Sequence, residues 1–197
     1  MLLALLCIGL IALLQRVGIL GGVDHAVMLA AGAARDTGWG GHVTPVMWLA
    51  SALGDTIPRL VLLAIAVAIL CWWREGWVAL WLLAFIAVGT LLNLALKQIF
   101  AMPRPDLIQH LDVVKTYSFP SGHAAGNMMM FGALALLIAR RWAWALAAAL
   151  IILIGASRVW LGVHWPSDVT AGWIEGLGWL ALWRAFLPAR RGQQQRP

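Results

Sequence analysis

Trp142–Asp168 reads WAWALAAALIILIGASRVWLGVHWPSD. Residues 142–161 carry a single charge, Arg158, near the far end of the run. A helix that crosses a bilayer needs about 20 mostly apolar residues, and this stretch supplies them. The chain then turns polar within a few positions, at His164, Ser167 and Asp168. Pro166 suits the first position of a new helix. His164 is therefore expected just before that helix and Asp168 in its first turn.

The same pattern extends outward in both directions. The chain has 197 residues, of which 62% are hydrophobic and 11% charged. That is too little charge to cover the surface of a soluble domain. Spans are expected at 2–20, 45–73, 77–100, 121–139, 142–161 and 167–187. The first lacks the charged start and small-residue cleavage site of a secretion signal, so it reads as a span. Gly54, Asp55, Pro58 and Arg59 interrupt the second and predict a kink, or a long helix whose first part sits near the surface. Residues 24–37 predict a short interfacial helix, begun by Asp24 and ended near Gly38. The expected fold is all-α: one membrane bundle of six transmembrane helices over residues 1–188, followed by a polar, disordered tail at 189–197.

Tryptophan and arginine suggest how this bundle sits in the bilayer. Many of the 13 Trp residues fall near span ends, among them Trp39, Trp72, Trp73, Trp77, Trp142, Trp160 and Trp183, as in an aromatic belt. Arg74, Arg140, Arg141, Arg184, Arg190, Arg191 and Arg196 share one side, which the positive-inside rule makes cytoplasmic. The net charge of +6 does not point to nucleic acid, because the basic residues are scattered and form no stripe. Cys7 and Cys71 lie in apolar runs and read as small packing residues rather than a disulfide.

Three short motifs carry the chemistry: Lys97-Gln-Ile-Phe-Ala-Met-Pro-Arg104-Pro105, Pro120-Ser121-Gly122-His123, and Ser157-Arg158 followed by His164 and Asp168. In an antiparallel run of helices, these segments fall on one membrane face, the extracytoplasmic one by the arginine distribution. Lys97, Arg104 and Arg158 are costly near a bilayer unless an anion compensates them. Arg forks suit phosphate. Ser121 and Gly122 stand at a helix N-terminus, which attracts anions. Asp168 can fix one ring nitrogen of His164 and leave the other as a nucleophile. His123 is placed to protonate a leaving oxygen and then to activate water.

The motifs resemble those of the type 2 phosphatidic acid phosphatase family, which is related to vanadium-dependent haloperoxidases. The resemblance is close over residues 97–172. It implies phosphate binding by Lys97, Arg104, Ser121, Gly122 and Arg158, a general acid at His123, a nucleophile at His164 and an orienting acid at Asp168. It also implies a lipid phosphate substrate, no metal and no cofactor, in a protein of the bacterial inner membrane. Candidate substrates are undecaprenyl diphosphate, which the outward-facing site favours, phosphatidylglycerol phosphate and phosphatidate. A vanadate-using haloperoxidase and a lipid transporter are the alternatives. Six spans speak against the first, and charges at helix ends rather than the midplane speak against the second. His25, His42 and His110 read as surface or interface residues. Asp55 and Arg59, one helical turn apart, read as an ion pair at the kink, with lining of the substrate entry as the alternative. Asn93, Asn127 and Glu175 read as contacts between helices.

Overall fold

In the computed structural model, residues 1–188 are described, and all of their regular structure is helical. The elements are α1 (Leu2–Arg16), α2 (Gly21–Arg35), α3 (Gly40–Leu53), α4 (Thr56–Trp72), α5 (Gly76–Phe100), α6 (Gly122–Ile138), α7 (Arg141–Trp160) and α8 (Pro166–Trp183), with a short 3-10 turn at Arg184–Phe186. The expected polar tail at 189–197 lies outside the described residues.

Local chemistry explains where these helices stop. α5 ends at Ala101 and α6 at Ala139, both in the left-handed conformation that closes a helix. Pro166 opens α8 as its first residue. The interrupted second segment is two helices, α3 and α4, bent by 52° about Gly54 and Asp55.

The start of the chain departs from expectation. α1 stops at Arg16, and α2 begins at Gly21 after an 81° bend. Asp24 does not start that helix. It is buried in the first turn of α2, where its carboxylate accepts from the Ser167 N–H at 3.0 Å and the Ser167 hydroxyl at 2.6 Å. Asp24 thus satisfies the head of α8 from another helix, a capping role that local sequence patterns do not reveal.

By length and composition α5 and α7 can each cross a membrane. The bent pairs α1–α2 and α3–α4 qualify as units, and α6 is apolar but shorter. The core lies between α4, α5, α6 and α8, built around Phe85, Met129, Met130 and Trp179. Glycines let α8 approach α6 closely: a Cβ on Gly172 would lie 2.6 Å from the Ser121 carbonyl oxygen and 2.9 Å from the Ala124 Cβ. Across the bundle, Asn93 donates to Glu175 at 2.7 Å, a buried polar tie between α5 and α8.

Candidate active site

The end of α5, the loop 101–121, the head of α6, the end of α7 and the head of α8 meet at one end of the bundle. A cavity of about 220 Å³ opens there, with Lys97, Arg104, Gly122, His123, Arg158 and His164 on its wall. Two of the eight expected site residues are not on that wall. Ser121 is fully buried as the N-cap of α6, its oxygen accepting from the Ala124 N–H at 3.5 Å. Asp168 is fully buried behind His164.

His164 is held from both sides. Its Nδ1 lies 3.3 Å from Asp168 Oδ2 and 3.3 Å from the Ser118 hydroxyl. Arg104 Nη1 stands 3.2 Å from its Nε2. A guanidinium can only donate, so Nε2 is the acceptor and Nδ1 carries the proton toward Asp168. Asp168 is itself fixed, because Oδ2 also accepts from the Trp165 N–H at 2.9 Å and makes a short hydrogen bond with Ser118, while Gln15 donates to Oδ1 at 3.3 Å. Burial, and then the charges of Arg104, Lys97 and Arg158, hold the His164 pKa well below its usual value. The ring is neutral, with its Nε2 lone pair turned toward Arg104.

The cations are tied to carbonyl oxygens and to side chains. Lys97 donates to the Tyr117 carbonyl at 2.7 Å. Arg104 donates to the Thr116 carbonyl at 2.9 Å and the Val163 carbonyl at 2.6 Å. Burial, and then the Arg158 charge, pull the Arg104 guanidinium down to about 10. Arg158 is fully buried and uses Nη1 alone, toward Ser51 and, at 2.7 Å, Asp112. Its Nε and Nη2 are buried with no hydrogen-bond partner among the described residues, an arrangement that costs free energy unless an acceptor arrives. Gly122 leaves the floor open: a Cβ there would stand 3.1 Å from the Asn93 amide oxygen and 3.6 Å from the Lys97 side chain.

His123 has a partner that the sequence reading assigned elsewhere. Its Nε2 lies 2.8 Å from Asp55 Oδ1. Asp55 is the N-cap of α4, yet its carboxylate makes no cap hydrogen bond. The expected Asp55–Arg59 ion pair is not formed: Arg59 donates to the Asp55 carbonyl at 3.4 Å and the Thr56 hydroxyl at 3.5 Å, not to the Asp55 carboxylate. The sequence offered Asp55 only as one side of an ion pair or a lining residue of the substrate entry, and Ser118, Gln15, Ser51 and Asp112 were missed as site residues. Of these, only Ser118 had a signal, two positions before the Pro120-Ser121-Gly122-His123 motif.

Residues 78–191 match the PAP2 superfamily. The chain belongs to that superfamily. It is 30% identical over 172 residues to phosphatidylglycerophosphatase B of Bacillus subtilis strain 168, which covers 83% of this chain and 82% of that one. An undecaprenyl-diphosphatase of Sulfolobus acidocaldarius is 45% identical over 67 residues, so the chain spans only 31% of that relative's length. The crystal structure of a transmembrane PAP2 type phosphatidylglycerolphosphate phosphatase from Bacillus subtilis superposes with a TM-score of 0.82 at 27% identity, covering 99% of this chain and 96% of the other. The fold of this PAP2 member is therefore that of an integral membrane phosphatase.

Proposed function

We propose that this membrane-embedded PAP2 lipid phosphatase hydrolyses a lipid diphosphate or phosphomonoester through a phosphohistidine on His164. The observation that carries this reading is the His164 ring, with Nδ1 held at Asp168 and Nε2 toward Arg104 beside the cavity. That is the geometry of an oriented, neutral nucleophile.

In this mechanism Lys97, Arg104 and Arg158 bind the phosphoryl oxygens, the unpartnered Nε and Nη2 of Arg158 finding acceptors there. Gly122 lets the phosphate approach the α6 N-terminus, and Ser121 holds that terminus in place. Nε2 attacks phosphorus while the bond to the lipid oxygen breaks. Asp168 stabilises the positive charge that develops on the ring. Protonated His123 gives its proton to the departing oxygen, which takes the place of Asp55 at Nε2. Water then attacks the phosphohistidine, His123 accepts its proton, and inorganic phosphate leaves.

The remaining expectations belong to the same reading: six spans, a short interfacial α2, an inner bacterial membrane and a site on its extracytoplasmic face. A polyprenyl diphosphate fits that face best. The test is phosphate release from a panel of purified lipid phosphates, with and without chelator, combined with rapid-quench trapping of acid-labile phosphohistidine. Wild type should form the intermediate and release phosphate in chelator. His164→Ala should do neither, and an intermediate that persists in folded His164→Ala would refute the assignment.

A further inference from the structure

Arg59 is a fourth cation on the wall of the active-site cavity, outside the three motifs. It sits in the first turn of α4, the helix end where a positive charge is disfavoured by the macrodipole. A guanidinium offers five donors. Among the described residues the hydrogen bonds of this one are two long ones, to the Asp55 carbonyl at 3.4 Å and the Thr56 hydroxyl at 3.5 Å. The side chain lies against Gly126 on α6, where any Cβ would overlap its Nη1. Gly126 follows His123 by one turn of the same helix, so the guanidinium is stationed just beyond the general acid.

A second, smaller cavity of about 100 Å³ continues from this point. It shares Thr56, Arg59, Thr90, Gly126 and Met129 with the first and adds Leu60, Ile86 and Met130. Lys97, Arg104, Arg158 and His164 line only the first. The wall therefore runs from the nucleophile, past His123, to Arg59, and then becomes apolar. A lipid diphosphate has the same order: transferred phosphoryl group, bridging oxygen, second phosphate, hydrocarbon chain.

Resting on the lipid phosphatase reading above, we infer that Arg59 is a subsite for the second phosphate of a lipid diphosphate. It binds the leaving group rather than the phosphoryl group that is transferred. When Nε2 of His164 takes the terminal phosphorus, the bond from that phosphorus to the bridging oxygen breaks. The oxygen receives the proton of His123 and stays on the lipid monophosphate, whose charge Arg59 neutralises.

The test compares a polyprenyl diphosphate with the monophosphate of the same chain length, using the full chain in detergent. Arg59→Gln should lower the ratio of their kcat/KM values about tenfold, the loss of roughly one charge-assisted hydrogen bond. Gly126→Ala should lower it in the same direction, because the new Cβ displaces the flexible guanidinium without removing its charge. Inhibition by inorganic pyrophosphate should weaken in both variants more than inhibition by orthophosphate. If the two substrates lose activity in parallel, or the ratio stays within twofold of wild type, Arg59 is a scaffold residue and the subsite is wrong while the phosphatase reading stands. A wild type that turns over neither substrate overturns both.

Discussion

His164 and His123 are each paired with a carboxylate, and in the proposed mechanism the two pairs do different work. The Asp168 partner is fully buried, and the ring it orients lies among cations that oppose a further positive charge. Because the His164 pKa is lowered, the neutral form persists as pH falls past the usual histidine value near 6.5. Single-turnover formation of phosphohistidine from an activated aryl phosphate should therefore be as fast at pH 6.5 as at 7.5, and fall only at more acid pH. A midpoint at or above 6.5 would mean that the ring is not shielded. Asp55 lies at the protein surface, bonded to the ring that the proposed mechanism makes the proton donor. Asp55→Asn should leave KM nearly unchanged and lower kcat by roughly 10–100-fold with an alkyl phosphate, within the range of general acid catalysis. An aryl phosphate whose leaving group needs no proton should recover most of that rate in the first step. Equal losses on both substrates would remove Asp55 from proton transfer.

Between helices, the site depends on contacts that contain no catalytic group. α8 carries Asp168 in its first turn, and its head is held by Asp24 from α2 and by the close approach of Gly172 to α6. Gly172→Ala would press a methyl group onto the Ser121 carbonyl at 2.6 Å and the Ala125 amide nitrogen at 3.1 Å. Backbone cannot move aside as a side-chain tip can, so the change should destabilise the protein by about 1–3 kcal/mol. A clear drop in the thermal midpoint in detergent is expected, and an unchanged midpoint would show that α6 and α8 can separate without cost. The kink between α3 and α4 has a similar significance. A straight helix would leave Asp55 within a span, whereas the break frees its carboxylate for His123. The interruption at Gly54–Arg59 was visible in the sequence, but the partner of Asp55 was not, because 68 residues separate it from His123.

At the scale of the whole molecule, the question is which face of the membrane the cavity opens to. Lys115 lies in the loop over the site, and Arg140 joins α6 to α7 at the other end of the bundle. Both are exposed. With Cys7 and Cys71 replaced, Lys115→Cys should react with an impermeant thiol reagent applied from outside the cytoplasmic membrane, and Arg140→Cys should not. The reverse labelling would put the site on the cytoplasmic face and remove the reason to favour a polyprenyl diphosphate released outside.

The composition, the apolar runs and the three motifs carried the fold class, the family and the cluster of polar groups at one end of the helices. They could do so because span length, charge burial and phosphate binding restrict residue type at fixed spacing along the chain. Other features were decided by the tertiary structure. The use of Asp24 to cap α8 and the pairing of Asp55 with His123 instead of Arg59 join residues distant in sequence. Hydrogen-bonding capacity is local and can be read from residue type. Which partner satisfies it depends on how helices approach one another, and close contacts at Gly126 and Gly172 helped to set that here.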